Sequence, residues 1–284
     1  MMKKFKTLLI AVLFVFPAVG SLTPHVAHGA VESAFSATLT DFLGEVFIQK
    51  PDGEIWLPVE KNMPLEEGDI LRTGPGAYAE VLVDDGSMVK VEENTEISMD
   101  ELSADYETRR IRSTIFLRVG RLIANVVKFT FPGSRFEIET PTMVAGVRGT
   151  EFVVETSDSE KTDVGVFEGE VSVSAFDDEG GLAAESGVLL RKGFQTTVVK
   201  GRRPLKPGTL KRGMLVHQKK VALLKSTAAK RRLVLKKIIN KRMLVHDRVL
   251  KKWKKFKLNQ PGLKLKPKKK IKKVPRLRRG GRRR

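Results

Sequence analysis

"TPTMVAGVRGTEFVVE", residues 140–155, sets Gly146 and Gly149 around a lone Arg148, between a proline-broken strand and a run of Phe and Val. Two readings compete. In the first, the chain turns a sharp β-corner where a side chain would clash or where φ is positive, which glycine permits. Arg148 then bonds corner carbonyls or a neighbouring acid such as Glu151 or Glu168. In the second, successive backbone N–H groups form a nest that binds an anion. We expect the corner.

Working outward, both flanks of this stretch read as strands. AYAEVLV (77–83) alternates, placing Tyr78, Glu80 and Leu82 on one face and Ala79, Val81 and Val83 on the other. Asp85-Gly86 follows as a hairpin-type turn before SMVKVEE. GEVFIQK (44–50), SRFEIET, TEFVVET, DVGVFEGEVSVSA, GVLL and GFQTTVV repeat the pattern of short runs punctuated by Gly, Asp and Pro. Residues 107–113 suit either a helical turn or a twisted edge strand, and Ile115 to Val127 is long enough to be misread as a helix. The middle of the chain is expected to be all-β, as a sandwich, a barrel or a β-solenoid, and pattern alone does not choose among them.

The ends differ from this middle. MMKKFK followed by LLIAVLFVFPAVG has the layout of a secretory leader, with cleavage after Gly20 or Ala30. The apolar run is short of the roughly 20 residues a spanning helix needs, and Pro17 interrupts it. Residues 31–200 hold 16 basic and 32 acidic side chains, whereas residues 201–284 hold 34 basic and 1 acidic. An acidic domain is thus joined to a polycation. The expected division is a leader over 1–30, a linker over 31–41, a β-domain over 42–200, a basic helical region over 201–258 and a disordered polybasic tail over 259–284.

The residue inventory argues against an enzyme. The four histidines are His25 and His28 in the leader and His217 and His246 in the basic region, and there is no Cys. The middle therefore lacks the parts of a Ser-His-Asp or Cys-His system and of a His- or Cys-ligated zinc site. The acidic groups Asp84-Asp85, Glu92-Glu93 and Asp177-Asp178-Glu179 fit no calcium-loop spacing and are read as solvated turns. No catalytic residue, cofactor or metal site is expected.

Several motifs, in one order, resemble the FecR domain family. They are Gly68-Asp69 with Arg72-Thr73-Gly74, Asp85-Gly86 before Ser87, Asn94-Thr95, Thr140-Pro141, Val147-Arg148-Gly149-Thr150, and Glu168-Gly169 with Val171. The resemblance covers roughly residues 42–176. It implies a β-rich, solenoid-like periplasmic domain that works by binding other proteins, in its best-known members passing a signal from an outer-membrane receptor to a sigma factor. Only about 40 residues precede the domain and they read as a leader, so an anti-sigma segment is not expected here. The basic segment stands where such regulators carry a receptor-binding end.

Within that basic segment, Met214-Leu215-Val216-His217 recurs as Met243-Leu244-Val245-His246. LKRGMLVHQKKVALLKS and the run from Ala228 to Leu258 read as two basic helices, paired or as one interrupted rod, with Ser226 or Thr227 capping the second. Leu233, Ile238, Met243, Val249, Trp253 and Phe256 are among the apolar positions. Lys236, Lys237, Lys251, Lys252, Trp253, Lys254, Lys255 and Phe256 are the expected contacts to an anionic membrane or wall surface. The expected function is a non-enzymatic, exported envelope protein: a FecR-like interaction or sensing module for an envelope protein, held at an anionic surface or partner by its polycation. The alternative is an exported, nonspecific nucleic-acid or polyanion binder with the β-domain as scaffold. A third possibility folds the polycation onto the acidic domain of the same chain.

Overall fold

The structure is a computed structural model. It describes residues 36–51, 53–105, 108, 110–129, 132–158, 160–177, 179–183 and 187–258; for 158, 243, 244, 247, 250 and 253–258 the backbone alone is described. Residues 1–30, expected as a leader, and residues 259–284, expected as a disordered polybasic tail, lie outside these residues.

The strands in chain order are β1 (Ala37–Leu43), β2 (Val46–Gln49), β3 (Leu57–Pro58), β4 (Met63–Leu65), β5 (Ile70–Thr73), β6 (Tyr78–Val83), β7 (Met88–Val91), β8 (Glu96–Asp105) and β9 (Arg110–Asn125). They continue with β10 (Arg135–Glu139), β11 (Met143–Val147), β12 (Glu151–Asp158), β13 (Lys161–Glu168), β14 (Glu170–Ala175), β15 (Val188–Arg191), β16 (Phe194–Val199) and β17 (Gly208–Thr209). Three helices follow: α1 (Arg212–Leu215), α2 (Gln218–Leu233) and α3 (Leu235–Leu258).

Pairing sorts the strands into two sheets. Sheet A runs β4-β1-β6-β7-β9-β12-β13-β16-β17. Sheet B runs β3-β2-β5-β8-β9-β10-β11-β14-β15. All neighbours are antiparallel except β9 and β10. The 16-residue β9 belongs to both sheets: Arg110–Val119 pairs with β8 in sheet B, and Gly120–Asn125 pairs with β12 in sheet A. Inward residues of both sheets form one core, including Leu39, Val81, Ile97, Ile115, Phe136, Phe152, Val164 and Val173. The architecture is a sandwich through which the chain winds as a solenoid does, stepping between layers every one or two strands.

Each step between layers contains a residue with positive φ: Gly44, Asn62, Gly68, Gly76, Asn94, Gly120, Gly133, Gly149, Gly169 and Gly193. At Gly120, φ is +101°, and a Cβ there would stand 2.5 Å from Thr95 Cα. No L side chain fits, so β9 bends between the sheets at the one residue type that permits it. The alternation of residues 77–83 holds: Ala79, Val81 and Val83 point into the sandwich core, while Leu82 points outward. Residues 110–113 are strand, and Ile115 to Asn125 continues it, with no helix.

The domain limits read from sequence shift at both ends. β1 starts at Ala37, inside the stretch expected as linker, because it pairs with β4 on one edge and β6 on the other; the alternation of Ala37 and Leu39 with Thr38 and Thr40 was its signal. At the other end Thr196 Oγ1 donates to Leu205 O at 2.6 Å and β17 adds to β16, carrying the β-domain to residue 209.

The helices form the third layer. Met214, Val221, Leu224, Ala228 and Ile238 pack on Leu82, Met88, Ile123 and Val153, the outward residues of β6, β7, β9 and β12. Met214, His217, Val221, Leu224, Ala228, Arg231, Leu235, Ile238, Arg242, Val245 and Val249 recur at steps of three and four, keeping one helical face on the sheet. The register runs through two breaks, one at Val216-His217 between α1 and α2 and one at Val234, whose N–H donates to Arg231 O at 3.1 Å. An interrupted rod is therefore correct, while the cap expected at Ser226 or Thr227 is not: both lie inside α2.

Candidate interaction surfaces

The glycine corner resolves first. Arg148 donates from Nε and Nη2 to Phe129 O at 3.1 and 2.6 Å. Gly149 N donates to Val127 O at 3.2 Å, and Thr150 Oγ1 donates to Glu170 O at 2.8 Å. Gly149 has φ +65°, and a Cβ on the neighbouring corner residue Gly169 would lie 2.5 Å from Gly149 O. Two corners thus nest against each other, with their polar groups turned to chain carbonyls. Gly146 plays no such part: it sits in β11 and a Cβ there meets nothing closer than 3.9 Å. The acids expected near Arg148 are engaged elsewhere, Glu151 with Lys225 and Glu168 with Lys192.

The other motif residues also make corners and layer crossings. Asp69 is buried and accepts from Lys50 Nζ and Glu66 N at 2.8 Å each; burial pushes its pKa up, against Lys50. Gly68 N donates to Met99 O and Gly74 N to Glu45 O, tying neighbouring turns. Arg72 lies over Trp56 at 4.0 Å and bonds Glu96 at 2.7 Å. Burial opposes ionisation of Glu96, but Arg118 and Arg72 outweigh it and lower its pKa. Thr73 Oγ1 donates to Glu92 O at 2.6 Å and accepts from Thr95 N at 3.0 Å. Asn94 supplies a positive φ at the β7–β8 crossing, and Thr95 packs under Gly120. Thr140, beside Pro141, joins Thr142 and Thr162 in a buried hydroxyl trio that links sheet B to sheet A, with Oγ1 separations of 3.0 and 2.8 Å to Thr162. Val147 and Val171 pair across β11 and β14 in the core.

The acidic groups expected as solvated turns are mostly covered. Arg242 makes a two-pronged contact to Asp84 at 2.6 and 3.0 Å, with both side chains largely buried. Arg231 reaches Glu80 at 2.9 Å, Lys225 reaches Glu151 at 2.8 Å, and Lys220 pairs with the buried Glu92. Arg232 donates to Gly86 O at 2.7 Å and to Asn125 Oδ1 at 2.5 Å. Asp85 beside it is pushed up to about 6 by burial, and Ser87 N donates to it at 2.5 Å. His246 Nε2 lies 3.2 Å from Glu66. Sequence reasoning missed these anchors as sites, although an acidic turn beside a segment of 34 basic and 1 acidic residues was their signal. Asp177 keeps the turn role, accepting from Glu179 N and Gly181 N.

Of the residues expected at an anionic surface, Lys236, Lys237 and Lys251 are exposed, and Lys252 is exposed and paired with Glu60. The side chains of Trp253, Lys254, Lys255 and Phe256 lie outside the described set.

The outward face of sheet B is polar, and the described helices pack on sheet A strands. Asp100, Glu101, Glu137 and Glu139 gather there with Arg112 and Arg135. Burial first, then Asp100 and Glu137, push Glu139 up to about 7. A polar cleft of about 580 Å³ lies beside α1, lined by residues including Arg121, Glu155, Asp163, Lys211 and His217. His217 is 4% exposed, and burial and then Arg121 hold its pKa down. Among the described residues, no group of three or more His, Cys, Asp or Glu side chains is arranged to hold a metal, and no helix is long and apolar enough to cross a membrane.

Residues 69–172, from the residue before β5 into β14, match the FecR family, described as FecR protein. Two crystal structures of a candidate anti-sigma factor from Parabacteroides distasonis ATCC 8503 are similar to the chain at 19% identity and TM-score 0.41. The similarity covers 52% of this chain and 62% and 63% of those chains, so this chain spans less than two thirds of their length. No curated protein matches the chain. The match to the FecR family thus spans the strands from β5 to β14 with their glycine corners.

Proposed function

We propose that the protein is a non-enzymatic, exported envelope protein whose FecR-type sandwich is a protein-interaction or sensing module, with its polycationic segment holding it at an anionic envelope surface. The carrying observation is the contrast between the two outward faces built by the FecR-matched strands. The helices of the chain occupy the face of sheet A, and the charged face of sheet B is left for a partner. Such a face, with Asp100, Glu101, Glu137 and Glu139 beside Arg112 and Arg135, suits recognition that depends on charge complementarity. The basic leader supplies the export half of the reading.

Fractionation of cells expressing the full chain tests it, with the N-terminus of the recovered protein determined by mass. Recovery with the envelope and a start after Gly20 or Ala30 supports export. Recovery in the cytoplasm with the leader intact refutes it and favours the polyanion reading. The module half is tested by capture from envelope extract at about 0.15 M salt, where charges in direct contact across an interface still act. The reading expects one protein to be retained by the full chain and lost when Glu137 and Glu139 are both changed to Lys.

A further inference from the structure

Helix α2 carries apolar residues on two opposite sides. Val221, Leu224 and Ala228 face sheet A. Leu223 and Leu233 face away, 63% and 87% exposed, with Val216 at the N-terminal end 63% exposed. Of the ten large hydrophobics exposed among the described residues, five (Leu215, Val216, Leu223, Leu233 and Val234) lie within this one stretch. Around them Lys219, Leu223, Ser226, Lys230, Leu233, Lys237 and Lys241 recur at steps of three and four, a single face opposite the docked seam. Lys219, Lys230, Lys237 and Lys241 are exposed. By contrast, the inward cations Arg231, Arg242, Lys220 and Lys225 are paired with sheet carboxylates.

We propose that this outward face of α2 and the start of α3 is a docking face for an anionic lipid bilayer. The inference rests on the proposed envelope location and refines it: the sheet uses the inward cations, so attachment falls to a face already held rigid on the domain. Leucines interspersed with lysines decide the partner. The lysines suit any polyanion, but Leu223 and Leu233 gain nothing from a phosphodiester backbone, whereas they can enter the acyl boundary while the lysines stay at headgroup level. With no acid on this face, neutral lipid leaves the lysine contribution unused.

The test uses the full chain and vesicles of equal parts phosphatidylglycerol and phosphatidylcholine, against vesicles of phosphatidylcholine alone. Because the chain has no Cys, Leu223→Cys and Leu233→Cys each accept one environment-sensitive fluorophore, and Leu189→Cys on sheet B serves as the control. The expected result is a blue shift at 223 and 233, and none at 189, on the anionic vesicles only. Co-sedimentation is expected to weaken about tenfold or more in the Leu223→Ser, Leu233→Ser double variant, whose exposed changes leave the melting temperature in place. That second arm separates the face from the polybasic residues 259–284, which the variant leaves intact. Unshifted labels, undiminished sedimentation of the double variant, or an equal shift on duplex DNA would each overturn the proposal. Leader retention in cells would remove the export reading without altering these vesicle results, so the two failures are distinguishable.

Discussion

The two outward faces of the sandwich differ in what covers them. Sheet A presents Leu82, Met88, Ile123 and Val153 outward and is roofed by the helices. Sheet B presents Asp100, Glu101, Glu137 and Glu139 with Arg112 and Arg135, and its ion pairs stay within the sheet. The difference teaches that part of the charge imbalance between the halves of the chain is an internal complementarity, with Lys220, Lys225, Arg231, Arg242 and Lys252 paired to carboxylates of the sandwich. Apolar burial sets where the helices lie, and the arginines and lysines fix their register on acidic turns.

The strongest way to break the comparison is Gly120→Ala, since β9 is the strand both sheets share. A Cβ against Thr95 combined with φ +101° should cost about 4 kcal/mol or more and disturb both faces together in denaturant unfolding. Next is Asp84→Ala, which strands the guanidinium of Arg242 under the helix; about 3–5 kcal/mol is expected, with loss of helical signal before strand signal. Leu224→Ala opens a cavity in the apolar seam alone and should cost about 2–4 kcal/mol. If helix and sheet then melt together as in the unaltered chain, the roof and the sandwich form one cooperative unit.

The smallest effect sharpens the other side. The carboxyl of Glu139 has a folded pKa of about 7, above its ordinary 4.5. A raised pKa means that the folded state holds the proton more tightly, so its contribution is complete below pH 4.5 and lost as pH rises through 7. Thermal melts of the unaltered chain should therefore fall between pH 5 and 8 by this group. Glu139→Gln should recover about 1 kcal/mol at pH 8 and change little at pH 5.

The β-layers were legible because strand alternation is a local signal, as at Tyr78–Val83, where the inward and outward sets came out as read. Gly149 was legible as a corner for the same reason, but its neighbour Gly146 was not separable from it, since a glycine within a strand and a glycine at a crossing look alike in one dimension. The bend of β9 was hidden inside a continuous run, and only the approach of Thr95 from 25 residues away explains Gly120. The helix break was misplaced because Ser226 and Thr227 carry capping chemistry that the tertiary seam overrides. Docking itself was unreadable: a polycation and an acidic domain complement each other whether or not they share a chain, and only the three-and-four spacing of the seam against Leu82, Met88, Ile123 and Val153 decides it.

The central claim is that the basic helices are a structural layer of the domain. Native-state hydrogen exchange on the full chain, at low salt and again at about 1 M salt, tests it most directly. The account predicts that the amides of residues 221–232 are protected to the same degree as those of β7 and of Gly120–Asn125, and stay protected at high salt because the seam is apolar. Amides of α2 exchanging as in an unfolded chain while β7 and β9 remain protected would contradict it.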